Sequence, residues 1–160
     1  MNRNRENRIY WNRGWHFYEE YMPALQEKET VGFPEGTEVE LPHTAAVTPL
    51  HYFDEGIYQK HCAYRKCFVP EKDWEGKRIF LNIEAAGHSA RVYLNGILLT
   101  EHFCGYTAFR AELTAGIRQG VENVLLIEVD SRESQDLPPF GRAIDYMTFG
   151  GLYREVYLDI

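Results

Sequence analysis

An antiparallel two-sheet β-sandwich is the fold that this 160-residue sequence predicts, and three features carry the expectation. Seven or more short segments have the strand period of two. Gly, Pro or Asn-Gly punctuates them, and almost no stretch has the 3.6-residue apolar period of an amphipathic helix. Aromatic residues make up 14% of the chain, with 11 Tyr and 9 Phe, types that suit a pleated, half-buried surface.

Taken in order, the first strand lies around GWHFYEE (14–20), and YRKCFVP (64–70) is the second. In RIFLNIE, Ile79, Leu81 and Ile83 alternate with Phe80, Asn82 and Glu84, which gives a strand with one aliphatic face. After AAGHS, Ala90, Val92 and Leu94 alternate with Arg91 and Tyr93. Asn95-Gly96 then precedes the apolar run ILLTEHF. Asn-Gly between strands supplies the positive φ angles of a type I′ hairpin turn. Further strands fit TAFRAEL (107–113), NVLLIEVDS (123–131) and GLYREVYLD (151–159), with Gly105-Tyr106 turning one strand into the next and TAGIRQG (114–120) as a short helical turn. In the last strand Arg154 shares the apolar face with Leu152, Val156 and Leu158, and a buried or semi-buried ion pair or carbonyl contacts are expected there. The long, polar, Pro-bearing segments 19–61 and 131–149 are expected to be loops lying across the sandwich.

Composition narrows the function. Apolar residues at 44% and charged residues at 26% are ordinary globular values, and the length suits a single domain spanning 1–160. The formal net charge of -7 argues against nucleic acid, whose binders cluster Lys and Arg. Three cysteines do not make a disulfide framework and fit a reducing compartment, so a cytoplasmic location is expected. Cys62 and Cys67, five apart on one strand, point to opposite faces and cannot easily bridge. No stretch reaches the ~20 apolar residues of a membrane helix.

The familiar catalytic patterns are missing. The six histidines have no metal-ligand spacing, and there is no G-x-S-x-G, phosphate loop or dinucleotide fingerprint. Asp54, Glu55, Asp130, Asp136 and Asp145 fall in loop-like stretches, where carboxylates are ordinarily solvated. Trp11, Trp15 and Trp74 have two readings: rings that stack on the C–H face of a sugar, or filling of the sandwich core.

Seven motifs, in order, resemble the N-terminal sugar-binding domain of glycoside hydrolase family 2. They are GWHFY (14–18), LPHT (41–44), YRKCFVP (64–70), GKRIFLNIEAAGHSARVYLNG (76–96), HFCGYTAF (102–109), GVENVLLIEVD (120–130) and GGLYREVYL (150–158). The resemblance implies an all-β jelly-roll sandwich, galactose-binding-domain-like, that precedes an immunoglobulin-like sandwich and a barrel holding two catalytic glutamates. It further implies that the chain is the first domain of a larger β-galactosidase-like enzyme, for which a homo-oligomer is one expectation, and that it is inactive by itself and without a cofactor. The partner would be a β-galactoside-like carbohydrate met at the interface with the barrel. In some β-galactosidases of the family an aspartate a few residues before a Gly-Leu/Ile-Tyr/Phe-Arg motif contacts the sugar. Asp145 stands at that position, although its flanks in RAIDYMTF lack the tryptophan and arginine of those members. Asp54, in HYFDEG (51–56), is the second substrate-binding candidate. Two alternatives remain open: a stand-alone carbohydrate-binding module, and a purely structural interaction domain.

Overall fold

The computed structural model describes residues 8–28, 35–47, 50, 51, 54–137 and 149–160, and within them ten strands form two wholly antiparallel sheets. The smaller sheet runs β1 (Arg8–Tyr10), β10 (Val156–Asp159), β5 (Phe80–Ile83), β8 (Phe109–Glu112). The larger runs β3 (Thr37–Val39), β2 (Trp15–Tyr18), β4 (His61–Phe68), β9 (Asn123–Asp130), β6 (Ser89–Leu94), β7 (Ile97–His102). The core lies between them. Leu81, Ile83, Ala111, Val156 and Leu158 come from one sheet, and Trp15, Phe17, Tyr64, Val92, Leu94, Leu125, Ile127 and Val129 from the other. This is the expected two-sheet sandwich.

The alternation in the sequence is the alternation of the sheets. Ile79, Leu81, Ile83, Ala90, Val92 and Leu94 are all buried, while Phe80, Asn82, Arg91 and Tyr93 are half-buried on the outer faces. Asn95 (φ 52°) and Gly96 (φ 81°) form the hairpin between β6 and β7. Asn95 does more than turn the chain. Its Nδ2 donates to Gly116 O at 2.9 Å and to Asn123 Oδ1 at 2.8 Å, and its Oδ1 accepts from Val124 N at 3.0 Å, fixing the hairpin tip to β9. Cys62 is buried and Cys67 exposed, as expected for opposite faces of β4. Burial pushes the Cys62 thiol up to about 12, so it behaves as a small apolar side chain.

Four expectations change. TAGIRQG is a non-helical turn; the described helical pieces are the 3₁₀ turns Pro23–Gln26, Glu55–Tyr58 and Lys72–Trp74. The polar segment 19–61 contains a strand, β3, and a further strand, β1, precedes the first one expected. Asp130, grouped with the loop acids, is the last residue of β9, inside the strand expected over 123–131. The closing strand begins only at Val156, because a bend at Arg154 follows the isolated bridge between Gly87 and Gly151. That bend breaks the alternation, so Arg154 leaves the apolar face and is exposed, its guanidinium 5.8 Å from the Tyr153 ring centroid.

A second, smaller core lies on the outer face of the larger sheet. The turn Pro23–Gln26 lays Leu25 against Tyr18, Ala63 and Leu126, with Tyr21, Met22 and Tyr93 at its margin. Arg65 ties that segment down by donating to the carbonyls of Leu25, Glu27 and Lys28 at 3.1 to 3.2 Å.

A Cβ added to Gly96 would meet nothing within 4 Å, so a substitution there tests the backbone alone. Gly96→Ala is expected to lower unfolding free energy by about 1 kcal/mol, read as a lower urea midpoint at unchanged m-value. An unchanged midpoint would mean that the turn tolerates a side chain at positive φ.

Candidate functional site

The candidate site is one end of the sandwich, where six chain segments meet: the LPHT loop, the stretch leading into β4, the carboxyl end of β9, the β5–β6 and β7–β8 connections, and the approach to β10. Backbone bonds join them. His43 N donates to Leu152 O (2.8 Å), Ala45 N to Gly150 O (2.9 Å), Gly87 N to Gly151 O (3.1 Å) and His88 N to Asp130 O (2.9 Å). Ser131 adds a side-chain clamp, its Oγ donating to Tyr58 O (2.5 Å) or Lys60 O (3.0 Å) and accepting from Lys60 N (3.1 Å).

Gly150-Gly151 is required by proximity as much as by turning. A Cβ on Gly150 would sit 2.5 Å from Ser131 Oγ and 3.0 Å from Tyr58 O. Gly151 has φ +98°, and a Cβ there would meet Tyr64 Oη, Ala45 N (2.9 Å) and His43 O (2.9 Å). The Tyr64 hydroxyl at this point accepts from Leu152 N (3.3 Å) and lies 2.9 Å from His43 Nδ1. Burial pushes the Tyr64 phenol well above its ordinary value and the His43 imidazole below its own, so the pair is a neutral structural bond near neutral pH.

Beside this clamp a shallow cleft of about 60 Å³ is lined by Gly87, His88, Gly105, Tyr106, Phe149 and Tyr153. Gly105 packs over His88, where a Cβ would lie 3.2 Å from Nδ1. Tyr153 Oη donates to Gly105 O and pins that wall. His88 is buried, and its Nδ1 has no hydrogen-bond partner. Tyr106 and Phe149 on the lining are 51% and 44% exposed.

The sequence candidates fare differently. Asp145 lies outside the described residues. Asp54 is exposed and caps the turn Glu55–Tyr58, its Oδ1 accepting from Gly56 N at 2.9 Å, and it does not line the cleft. Asp130 is engaged by Arg132, whose guanidinium donates at 2.6 and 2.9 Å and holds the carboxyl below its ordinary value against the opposing effect of burial. Trp15 and Trp74 are buried, and half-buried Trp11 packs edge-on against Trp74 and Phe68, so the tryptophans build core and no sugar platform. Among the described residues no group of three His, Cys, Asp or Glu could hold a metal ion. Sequence reasoning passed over His88 and Phe149. The signal available was AAGHS, a glycine before a histidine at a strand connection.

No protein-family model matches the chain. Individual proteins do match. A β-galactosidase of Thermoanaerobacter pseudethanolicus is 43% identical over 123 residues, covering 76% of this chain and 17% of that protein. A β-galactosidase of Thermoanaerobacterium thermosulfurigenes is 37% identical over 150 residues, 93% of this chain and 21% of that protein. Among solved structures, Bacteroides uniformis β-glucuronidase 2, covalently bound to cyclophellitol-6-carboxylate aziridine, superposes with a TM-score of 0.75 at 29% identity, over 94% of this chain and 18% of that one. The chain belongs to glycoside hydrolase family 2. It corresponds to the N-terminal part of these much longer enzymes and spans about a fifth of their length. The end clamp is thus a feature of a family 2 N-terminal domain.

Two predictions follow from the clamp. Gly151→Ala combines positive φ with backbone contacts that cannot give way, and is expected to cost more than about 2 kcal/mol in urea unfolding. A cost near that of Gly96→Ala would show that the segment shifts freely. For pH, burial holds His43 and His88 below their ordinary values, the neighbouring Asp130 and Glu133 opposing this at His88. The unfolded chain then binds more protons than the folded one, so their contribution is full above about pH 6.5 and is lost as pH falls from there toward the folded values. The urea midpoint is expected to drop between about pH 7.5 and 5.5, and to drop less in His88→Asn. Equal slopes in the two proteins would remove His88 from the account.

Proposed function

We propose that the chain acts as the N-terminal domain of a longer family 2 retaining β-glycosidase whose substrates are β-galactosides, supporting a catalytic barrel and offering Asp145, with Asp54 second, to the bound sugar. The observation that carries this reading is the 43% identity to a β-galactosidase of which the chain spans 17%. The acids of the described residues support a non-catalytic role. Retaining glycoside hydrolysis needs two carboxyl groups about 5 to 5.5 Å apart, one protonated as the acid and one ionised as the nucleophile. Glu128 is instead buried among His61, Arg91 and Tyr93, Asp130 and Glu112 are held by arginines, and Asp54 caps a turn. A carboxylate brought to the barrel by this domain would accept hydrogen bonds from sugar hydroxyls and fix the ring, a positioning contribution.

In the longer enzyme, Asp145→Asn is expected to lower kcat/KM on a nitrophenyl β-galactoside by roughly ten- to a hundredfold, the range for a hydrogen bond to a charged group. The melting temperature should stay within about 1 °C, since the change is isosteric. Asp54→Asn should have the smaller effect. An unchanged rate in Asp145→Asn, or hydrolysis by the 160-residue chain alone, overturns the reading.

A further inference from the structure

The tip of the β6–β7 hairpin carries a chemically weak bond together with the contacts that guard it. Asn95-Gly96 is the only Asn-Gly pair in the chain; the other six asparagines precede Arg, Ile or Val. An asparagine side-chain amide is open to attack by the backbone nitrogen of the next residue, and glycine, without a Cβ, hinders that attack least. Gly96 is exposed, and a Cβ built on it would meet nothing within 4 Å. Asn95 is half-buried, and every polar atom of its side chain is held. Its Nδ2 donates to Gly116 O (2.9 Å) and Asn123 Oδ1 (2.8 Å), and its Oδ1 accepts from Val124 N (3.0 Å). Asn123, on the receiving side, is fully buried and fixed in one orientation. Its Nδ2 donates to Arg118 O and Val121 O at 2.9 Å, and its Oδ1 also accepts from Arg118 N at 2.8 Å. The seat therefore takes a donor at this point and has no place for an acceptor.

We propose that Asn95-Gly96 is a guarded deamidation site: the native hairpin keeps the amide unreactive, opening of the tip releases it, and the acid that forms does not fit back into the seat. In the reaction, Gly96 N bonds to Asn95 Cγ, the Cγ–Nδ2 bond breaks, and Nδ2 leaves as ammonia with the proton from Gly96 N. One water then opens the cyclic imide at either carbonyl, giving aspartate or isoaspartate. An amide and a water thus become an acid and ammonia, and nothing is oxidised or reduced. Ring closure turns Cγ toward Gly96 N and breaks the side-chain bonds to Gly116, Asn123 and Val124, which ties the rate to local opening. In the aspartate product, one oxygen still accepts from Val124 N. The other is left facing Gly116 O and Asn123 Oδ1, two acceptors with no hydrogen to share. A buried acceptor set against a carboxylate loses its hydrogen bond and meets like charge. The charged side chains of the facing loop, Arg118 and Glu122, are exposed, and Arg91 and Glu101 on the hairpin strands hold each other at 2.6 Å. Isoaspartate also lengthens the backbone of a turn whose register depends on its length. The inference is independent of reading the chain as part of a glycosidase.

The test incubates the 160-residue chain at mildly alkaline pH, native and in guanidinium chloride, and follows the amide-to-acid mass change of the peptide holding Asn95. Loss of the amide is expected to be at least about tenfold slower in the native chain, because only opened hairpins react. Asn95→Asp is expected to have a lower urea midpoint than the wild type at neutral pH. Its carboxyl, set against two acceptors, holds its proton more tightly in the folded chain, and the protonated acid regains one donor. The folded variant then binds more protons than its unfolded form. Its deficit against the wild type is therefore smallest below about pH 4 and grows as pH rises through the raised folded value. Equal rates in the native and denatured chains overturn the proposal, as does a wild-type midpoint in Asn95→Asp or a deficit that is the same at every pH. Should Asn95→Asp fail to fold, the rate comparison, which uses the wild-type chain alone, decides the matter.

Discussion

Strand β9 is covered on both faces, and most of the molecule is arranged to allow that. Seven of its eight residues are buried, the inner Leu125, Ile127 and Val129 by the smaller sheet and the outer Leu126 by the turn bearing Leu25. A strand with two covered faces reads as a continuous apolar run, which VLLI is. The exception is Glu128, and a buried carboxylate must be paired and hydrogen-bonded or it costs several kcal/mol. Its oxygens accept from His61 on β4 (2.8 Å) and from Arg91 (3.1 Å) and Tyr93 (2.9 Å) on β6. The donors stand on both neighbouring strands, so one charge ties three strands together. Arg91 carries the chain of contacts outward to Glu101 on edge strand β7 at 2.6 Å. Such a network specifies register more than it adds stability, since removing one partner strands a buried charge.

The candidate site depends on the same strand. Asp130 ends β9 and accepts from His88 N through its carbonyl, and Ser131, the next residue, clamps Tyr58 and Lys60. The His88 wall of the cleft is therefore referred to the carboxyl end of a strand fixed on two sides. The opposite wall arrives with Gly150-Gly151, whose missing side chains let the approach to β10 pass against Ser131 and Tyr64. A rigid scaffold with loops gathered at one end is the common way for a sandwich to place polar groups accurately.

Much of this was legible in the sequence. Ile79, Leu81, Ile83 and Ala90, Val92, Leu94 could be read because a half-buried strand leaves a period-two trace, and Asn95-Gly96 because positive φ restricts residue choice so strongly. The three-residue edge strands β1 and β3 are too short to leave a period, and pairing with β10 and β2 defines them. Arg154 was misplaced because alternation was extended through a bend that only the bridge from Gly87 to Gly151 imposes. The cleft was illegible for a related reason. Gly87-His88, Gly105-Tyr106 and Phe149 are separated by tens of residues in the chain, and no local spacing links them.

The aromatic richness that suggested a β fold also explains where a sugar could and could not stack. Trp15, Tyr64 and Trp74 are spent in the core. On the outer face of the smaller sheet, register sets Tyr10, Tyr157, Asn82 and Arg110 in one cross-strand row and Arg8, Asp159, Phe80 and Glu112 in the next. That face has the polar and aromatic mixture of a carbohydrate platform, but two of its rings, Tyr157 and Phe80, are capped. The Arg8 guanidinium lies 3.6 Å from the Tyr157 centroid, and those of Arg78 and Arg110 lie 4.8 and 4.7 Å from the Phe80 centroid. A pyranose would have to displace these cations from the ring faces, giving up cation–π attraction for C–H contacts. Ring capping, more than the number of aromatic residues, therefore limits where a sugar could stack on this face.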